Sequence, residues 1–246
     1  MRFHSCPSAL GCLVFRSAIK VCLSLNSVKR SIIITAGGLG KRMQADIPKQ
    51  FLLLGNKPVL IHTLERFHAF DPDAQILITL PSDWFSYWEN LLAEYQIKIP
   101  HQLVDGGQER FHSIQNALAF CTGEQVGVHD GVRPLVSIET IERCFAALSI
   151  ADAVVPVLPA KDSIRKGTFE SSSAVNRAEY FLVHTPQCFM TSTLKQAYDQ
   201  AFTHVFTDDA SVVESMGIQP LLVLSNEENV KITSQLDLQL LNALLK

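Results

Sequence analysis

Ser31-Ile-Ile-Ile-Thr-Ala-Gly-Gly-Leu-Gly-Lys-Arg-Met43 is a short β-branched run that stops at two glycines and continues as a loop carrying two cations. Three consecutive isoleucines leave no polar alternation, so they predict a strand covered on both faces, as in a parallel sheet between helices. Outward from it, Val59–Phe70 has helical spacing, with Leu60, Leu64 and Phe67 on one face. Gln75–Leu80 reads as a second buried strand ended by Pro81, and Trp84–Tyr95 as a second helix. Val104 leads into Asp105-Gly106-Gly107 and then a helix through Ile114, Leu118 and Cys121. Gln125–His129 is a strand, Ser137 a helix N-cap with Glu139 in the first turn, and Ala153–Leu158 another apolar strand. This repetition predicts an α/β fold, Rossmann-like, with a mostly parallel sheet and helices on both faces. Ligands of such sheets bind beyond the carboxyl ends of the strands, which directs attention to loops 37–50, 105–113 and 129–134.

The rhythm breaks between Pro159 and Thr185. Asp162–Gly167, a turn at Ser171–Ser173 and Ala174–His184 read as a protruding β-hairpin arm at about 159–185. Such an arm cannot form a core alone, so it is expected to pack on a second copy, as a homodimer; a free surface hairpin is the alternative. Helices follow near Leu194–Phe202 and at Ala210–Met216, the latter closed by Gly217. A strand at Leu221–Leu224 precedes a last helix with Leu236, Leu240, Leu241 and Leu244 at core spacing.

The chain has 246 residues, 47% hydrophobic and 18% charged, a composition of folded rather than disordered proteins. Residues 31–246 are expected to form one domain. No apolar run of about 20 residues free of charge occurs, so no membrane helix is expected. The net charge of −3 hides an asymmetry: residues 1–30 hold five cations and no acid, leaving an acidic body. That body gives no reason to expect nucleic-acid binding, and any anion site must be local. Residues 1–30 could be a secretory signal, a transit peptide or an extension; they are read as an extension, disordered or not native, outside the fold. Six cysteines include no CxxC, and Cys121, Cys144 and Cys188 read as buried free thiols of a reducing compartment, the cytoplasm. The scattered histidines suggest no zinc site.

The glycines after β-branched Ile32–Ile34 let backbone amides approach an anion. Two common phosphate motifs fail: GxGxxG needs glycine where Met43 stands, and the P-loop needs a hydroxyl where Arg42 stands. There remains a glycine loop with Lys41 and Arg42, followed by Pro48-Lys49-Gln50, which gathers three cations into a pocket for phosphate charge. A plain glycine turn with solvated cations is the alternative.

Ala36-Gly-Gly-Leu-Gly-Lys-Arg-Met43 with Pro48-Lys49-Gln50 resembles the signature of nucleotidyltransferases of the pyrophosphorylase type. More narrowly, the chain resembles the 2-C-methyl-D-erythritol 4-phosphate cytidylyltransferase family. The narrower likeness adds Asp105-Gly-Gly-Gln-Glu-Arg110 with Ser113, His129-Asp-Gly-Val-Arg-Pro134, Asp162-Ser163, Arg177, Thr185-Pro-Gln187, Thr207-Asp-Asp-Ala-Ser211 and Asn229-Val-Lys-Ile-Thr233. The resemblance implies attack by the phosphate of methylerythritol phosphate on the α-phosphorus of CTP, releasing pyrophosphate. It implies that Arg42, Lys49 and Lys231 are the catalytic cations. By the same resemblance Ala36, Gly37, Gly38, Gly40, Gly107 and Ser113 hold CTP, and Asp130 holds Mg2+. Arg133, Ser163, Arg177 and Thr185 serve the polyol phosphate, Ser163 and Arg177 reaching it from the arm across a dimer interface. Taken alone, Gly107 would be a tight turn, Ser113 a helix N-cap and Asp130 a strand-end turn residue. Asp208 and Asp209 read as helix-capping and structural. Ribitol 5-phosphate cytidylyltransferase is the nearest rival; a dinucleotide-dependent oxidoreductase and a nucleotide-binding module without catalysis are rivals of other classes.

Overall fold

A computed structural model describes residues 28–38 and 47–245. The expectations for the extension up to residue 27, and for Gly40, Lys41 and Arg42, lie outside the described residues. In chain order the elements are β1 (Arg30–Thr35), β2 (Leu53–Leu54), β3 (Lys57–Pro58), α1 (Val59–Phe70), β4 (Gln75–Leu80), α2 (Phe85–Glu94), β5 (Gln102–Asp105), α3 (Arg110–Leu118), β6 (Gln125–Asp130), α4 (Ile138–Ala147) and β7 (Ala153–Pro159). The arm holds β8 (Arg165–Gly167), β9 (Ser172–Ala174) and β10 (Phe181–Val183). Then come β11 (Gln187–Met190), α5 (Thr191–Tyr198), α6 (Asp209–Glu214), β12 (Leu221–Leu224) and α7 (Gln235–Leu244).

The α/β expectation holds. Strands β5, β4, β1 and β6 pair in that order and in parallel. β11 is inserted antiparallel between β6 and β7, and β12 runs parallel along the other side of β7. The isoleucine run is buried on both faces: Ile32 and Ile34 join a core with residues of α1, α2 and α4, while Ile33 joins one with residues of α3, α5 and α6. Each such side chain, fully withdrawn from water, contributes about 1.5–3 kcal/mol, so the motif at its end starts from a rigid strand. Ser137 caps α4 as expected, accepting from the Thr140 amide. Gly217 closes α6 with φ +83°, and Cys121, Cys144 and Cys188 are buried free thiols.

Four local expectations are corrected. Strand β1 begins at Arg30, one residue into the supposed extension: Arg30 pairs in register with Gln125 of β6, and its guanidinium pairs with Asp71 at 2.8 Å. The hairpin of the arm is shorter than expected: Arg165–Gly167 pairs with Ser172–Ala174, and Phe181–Val183 leaves it to join the main sheet against Val157–Pro159. Helix α5 starts at Thr191, directly after β11. On α7 the buried residues are Leu238 and Leu241, while Leu236, Leu240 and Leu244 are exposed. Helix phase there is set by a capping box, in which Ser234 and Asp237 satisfy each other's backbone amides. Leucine spacing alone was the wrong guide, since it fitted two faces.

Candidate active site

The carboxyl ends of β5, β4, β1 and β6 surround a cleft of about 300 Å3. Its lining includes Ala36, Gly37, Gly38, Lys49, Gly107, Ser113, Asp130 and Lys231, which sequence reading had singled out from four separated loops. Thr35, Gln50, Thr79, Arg110 and Val132 also line it.

One end of the cleft is charged. Asp130, the last residue of β6, is buried, and Oδ2 lies 3.1 Å from both Arg133 Nε and Lys231 Nζ. Arg110 Nε lies 3.8 Å from Oδ1. Burial alone would raise the Asp130 pKa, but the charges of Arg110, Lys231 and Arg133 outweigh it and hold the carboxyl well below the usual range. The carboxylate therefore stays ionised where it faces the cleft.

The cations around it are themselves fixed. Arg110 makes a bidentate pair with buried Asp209, at 2.8 and 2.6 Å. Burial would lower its pKa, but the charge and hydrogen bonds of Asp209, with Asp130 beyond, raise it. Tyr198 donates its hydroxyl to Asp209 Oδ1 at 2.6 Å. Asp208 caps α6, and Gln187 ties that helix to β11 by donating to Asp208 and accepting from the Ala210 amide. The structural reading of the two aspartates is therefore right. Arg133 is buried and donates to the Asn229 carbonyl at 2.8 Å. Asn229 donates in turn to the Thr185 carbonyl.

Thr185 is buried behind Asp130: its hydroxyl accepts from the Asp130 amide and meets His129 Nδ1 at 3.0 Å. His129 is fully enclosed, and burial pushes its pKa down to about 4, so it is neutral at pH 7. Arg133 and Thr185, expected beside the polyol phosphate, do not line the cleft; each bonds to Asp130.

The other end of the cleft is formed largely by backbone and uncharged side chains, with exposed Glu109 as its acidic residue. The Ala36 amide donates to the Thr79 carbonyl, and buried Gln50 donates to the Ala36 carbonyl at 2.6 Å, which fixes the start of the glycine loop. Gly107 is required for space, because a Cβ there would lie 2.8 Å from the His112 carbonyl carbon. Ser113 is not the N-cap of α3. Glu109 holds that position without a side-chain bond, and the Ser113 hydroxyl donates to the Glu109 carbonyl and accepts from the Gly107 amide. Lys49 bridges the two ends by donating to the Ile232 carbonyl at 2.9 Å, one residue from Lys231.

Ser163 and Arg177 stand apart on the arm, both exposed, and Arg177 donates to the Lys161 carbonyl. They do not line the cleft. Among the described residues no three His, Cys, Asp or Glu converge as a metal cage. One ionised carboxylate at the cleft wall nevertheless suits Mg2+, which takes one or two carboxylates and completes its shell with phosphate oxygens and water.

Sequence reading gave Arg110 no role, although it stands in the quoted Asp105–Arg110 segment. Its partner Asp209 lies 99 residues away, and no local pattern joins the two.

The family model for 2-C-methyl-D-erythritol 4-phosphate cytidylyltransferase (IspD) matches residues 31–246. The chain belongs to that family. It is 49% identical over 217 residues to the 2-C-methyl-D-erythritol 4-phosphate cytidylyltransferase of Bacteroides fragilis, covering 88% of this chain and 99% of that protein. The corresponding protein of Bacteroides thetaiotaomicron is 49% identical over 219 residues, with 89% and 100% covered. Among solved structures, the 2-C-methyl-D-erythritol 4-phosphate cytidylyltransferase of Thermus thermophilus superposes with TM-score 0.72 at 31% identity, over 88% of this chain and 98% of that one. The 4-diphosphocytidyl-2C-methyl-D-erythritol synthase of Anaerococcus prevotii gives 0.77 at 27% identity, over 89% and 96%. The chain is accordingly an enzyme, a nucleotidyltransferase of the isoprenoid-forming IspD family. The ribitol phosphate, oxidoreductase and non-catalytic readings gain no support from these matches. No helix among the described residues is long and apolar enough to cross a membrane.

Proposed function

We propose that this chain transfers a cytidylyl group from CTP to 2-C-methyl-D-erythritol 4-phosphate. A phosphate oxygen of the acceptor forms a new bond to the α-phosphorus, and the bond from that phosphorus to the bridging oxygen breaks, releasing pyrophosphate. Both reactants are anions and the nucleophile needs no deprotonation, so the protein has to gather charge and align the reacting groups. The observation that carries this reading is the ionised Asp130 set among Arg110, Arg133 and Lys231 at one end of the cleft.

In this reading the end with Ala36, Gly37, Gly107 and Ser113 takes the nucleoside, and the amides of Gly38 and Gly40 serve the phosphates. Lys49 and Lys231 stand against the triphosphate and stabilise charge on the leaving pyrophosphate, with Arg42 as a third cation. Asp130 holds a divalent metal, Mg2+, which neutralises phosphate charge when bound. Arg133 and Thr185 act from behind Asp130, and Ser163 and Arg177 supply the acceptor's phosphate site from the arm of a second copy. A homodimer is supported by the exposed apolar run Tyr180–Val183 and by exposed Leu221, Leu222 and Leu224 on β12, since β10 and β12 flank β7. Buried free thiols and the need for CTP favour the cytoplasm.

The test is pyrophosphate release on mixing CTP, Mg2+ and methylerythritol phosphate. Release that requires all three, and that is far slower with ribitol 5-phosphate, is expected. No release, or equal rates with the two acceptors, would overturn the reading.

A further inference from the structure

Thr79 is the penultimate residue of β4, beside the turn at Ala36–Gly37 on one side and Gly106–Gly107 on the other. The residue belongs to the cleft lining, yet it is fully buried. Its carbonyl is used, accepting from the Ala36 amide at 2.8 Å. Its hydroxyl is not: Oγ1 is enclosed and has no hydrogen-bond partner. Of the buried side-chain polar atoms without a partner among the described residues, it is the one whose residue lines the cleft.

An enclosed hydroxyl without a partner is destabilising, and valine would fill the same volume at no such cost. A strand position between apolar Ile78 and Leu80 gives no folding reason for a hydroxyl. Thr35, paired with Thr79 in register on β1, donates its hydroxyl to the His129 carbonyl at 3.3 Å, and Ser113 Oγ and the Gly107 amide already bond one another. β4 is separated by β1 from β6, which ends in Asp130 among Arg110, Arg133 and Lys231. The cations suited to phosphate gather there, so the ligand group reaching Thr79 is a polar edge of the nucleoside.

We infer that Thr79 is a substrate-binding residue whose hydroxyl completes its hydrogen bonding on the nucleoside half of CTP. This rests on the cytidylyl-transfer reading. Because a hydroxyl can donate or accept, its contribution is affinity for the nucleoside, present equally in ground and transition state. Such uniform binding shows in KM and leaves kcat in place.

The experiment compares wild type, Thr79→Val and Thr79→Ser. Thr79→Val is expected to raise the KM for CTP roughly five- to tenfold, the worth of one hydrogen bond. Expected alongside are unchanged kcat, KM for methylerythritol phosphate and inhibition by pyrophosphate. Thr79→Ser, which keeps the hydroxyl, restores the KM to within about threefold of wild type. The melting temperature of ligand-free Thr79→Val should equal or exceed that of wild type, because no internal bond is lost. An unchanged KM for CTP, or a lower melting temperature of the free variant, overturns the inference. A wild type that releases no pyrophosphate from CTP instead overturns the cytidylyl-transfer reading, so the two failures are distinct.

Discussion

At the end of β6, Asp130 is buried among Arg110, Arg133 and Lys231, and two of those cations are held in turn by Asp209 and the Asn229 carbonyl. Across the arm, from Lys161 to Val183, only Ile164 and Val175 are even partly buried. Its arginines bond oxygens of the arm itself: Arg165 binds Ser172, and Arg177 the Lys161 carbonyl. The cleft is organised within one chain by low-dielectric packing, so its charges hold their positions before any ligand arrives. The arm carries hydroxyls, cations and apolar side chains with no such enclosure.

The largest effect that sharpens this contrast belongs to Lys49. Lys49→Ala should lower kcat about 10^2- to 10^3-fold with an unchanged circular dichroism spectrum, as for a lost transition-state cation. A turnover within a few-fold of wild type would take Lys49 out of the chemistry. Asp209→Asn comes next. It removes the charge that Arg110 is braced against, leaves a buried cation poorly paired, and should cost about 3 kcal/mol of stability in urea unfolding together with a loss of turnover. On the arm, Arg177→Ala should raise the KM for methylerythritol phosphate about tenfold, the value of one charge-assisted contact, and leave the melting temperature unmoved. A lower melting temperature with unchanged KM would make Arg177 a structural residue of the arm.

The smallest effect is on pH. Burial lowers the pKa of both His129 and His184 to about 4, below the unfolded value of about 6.5. Folded and neutral, they bind fewer protons than the unfolded chain between those values. Their contribution to stability is therefore complete above about pH 6.5 and is lost progressively as pH falls toward 4. The melting temperature should be level from neutral pH down to about 6.5 and then decline, and His184→Asn should make that decline shallower.

The same contrast marks what sequence could and could not reveal. The cleft's backbone was legible, because Ile32–Ile34, Gln75–Leu80 and Gln125–His129 are apolar runs stopped by glycine, proline or a polar turn, and strand ends of a parallel sheet converge. What supports the cleft was not, because Arg110 with Asp209, Arg133 with the Asn229 carbonyl and Thr185 with the Asp130 amide are pairs far apart in the chain. The Ser113 hydroxyl misled for a related reason: a serine near a helix start suggests a cap, whereas here it lies one turn inside α3 and bonds back to Gly107. In α7, leucines at 236, 238, 240, 241 and 244 allow more than one helical face, and tertiary packing chose Leu238 and Leu241. The antiparallel insertion of β11 had no local signal, since Gln187–Met190 is too short to reveal its direction.

The central claim is that one cleft holds CTP with its phosphates toward Lys49, Lys231 and Asp130 and its nucleoside toward Ser113 and Gly107. A crystal structure of the protein with CTP and Mg2+ tests it most directly. The account predicts the triphosphate within reach of Lys49 and Lys231 and the pyrimidine between the Ala36–Gly37 turn and Gly107. CTP bound outside this cleft, or bound in it with the base toward Asp130, would contradict it.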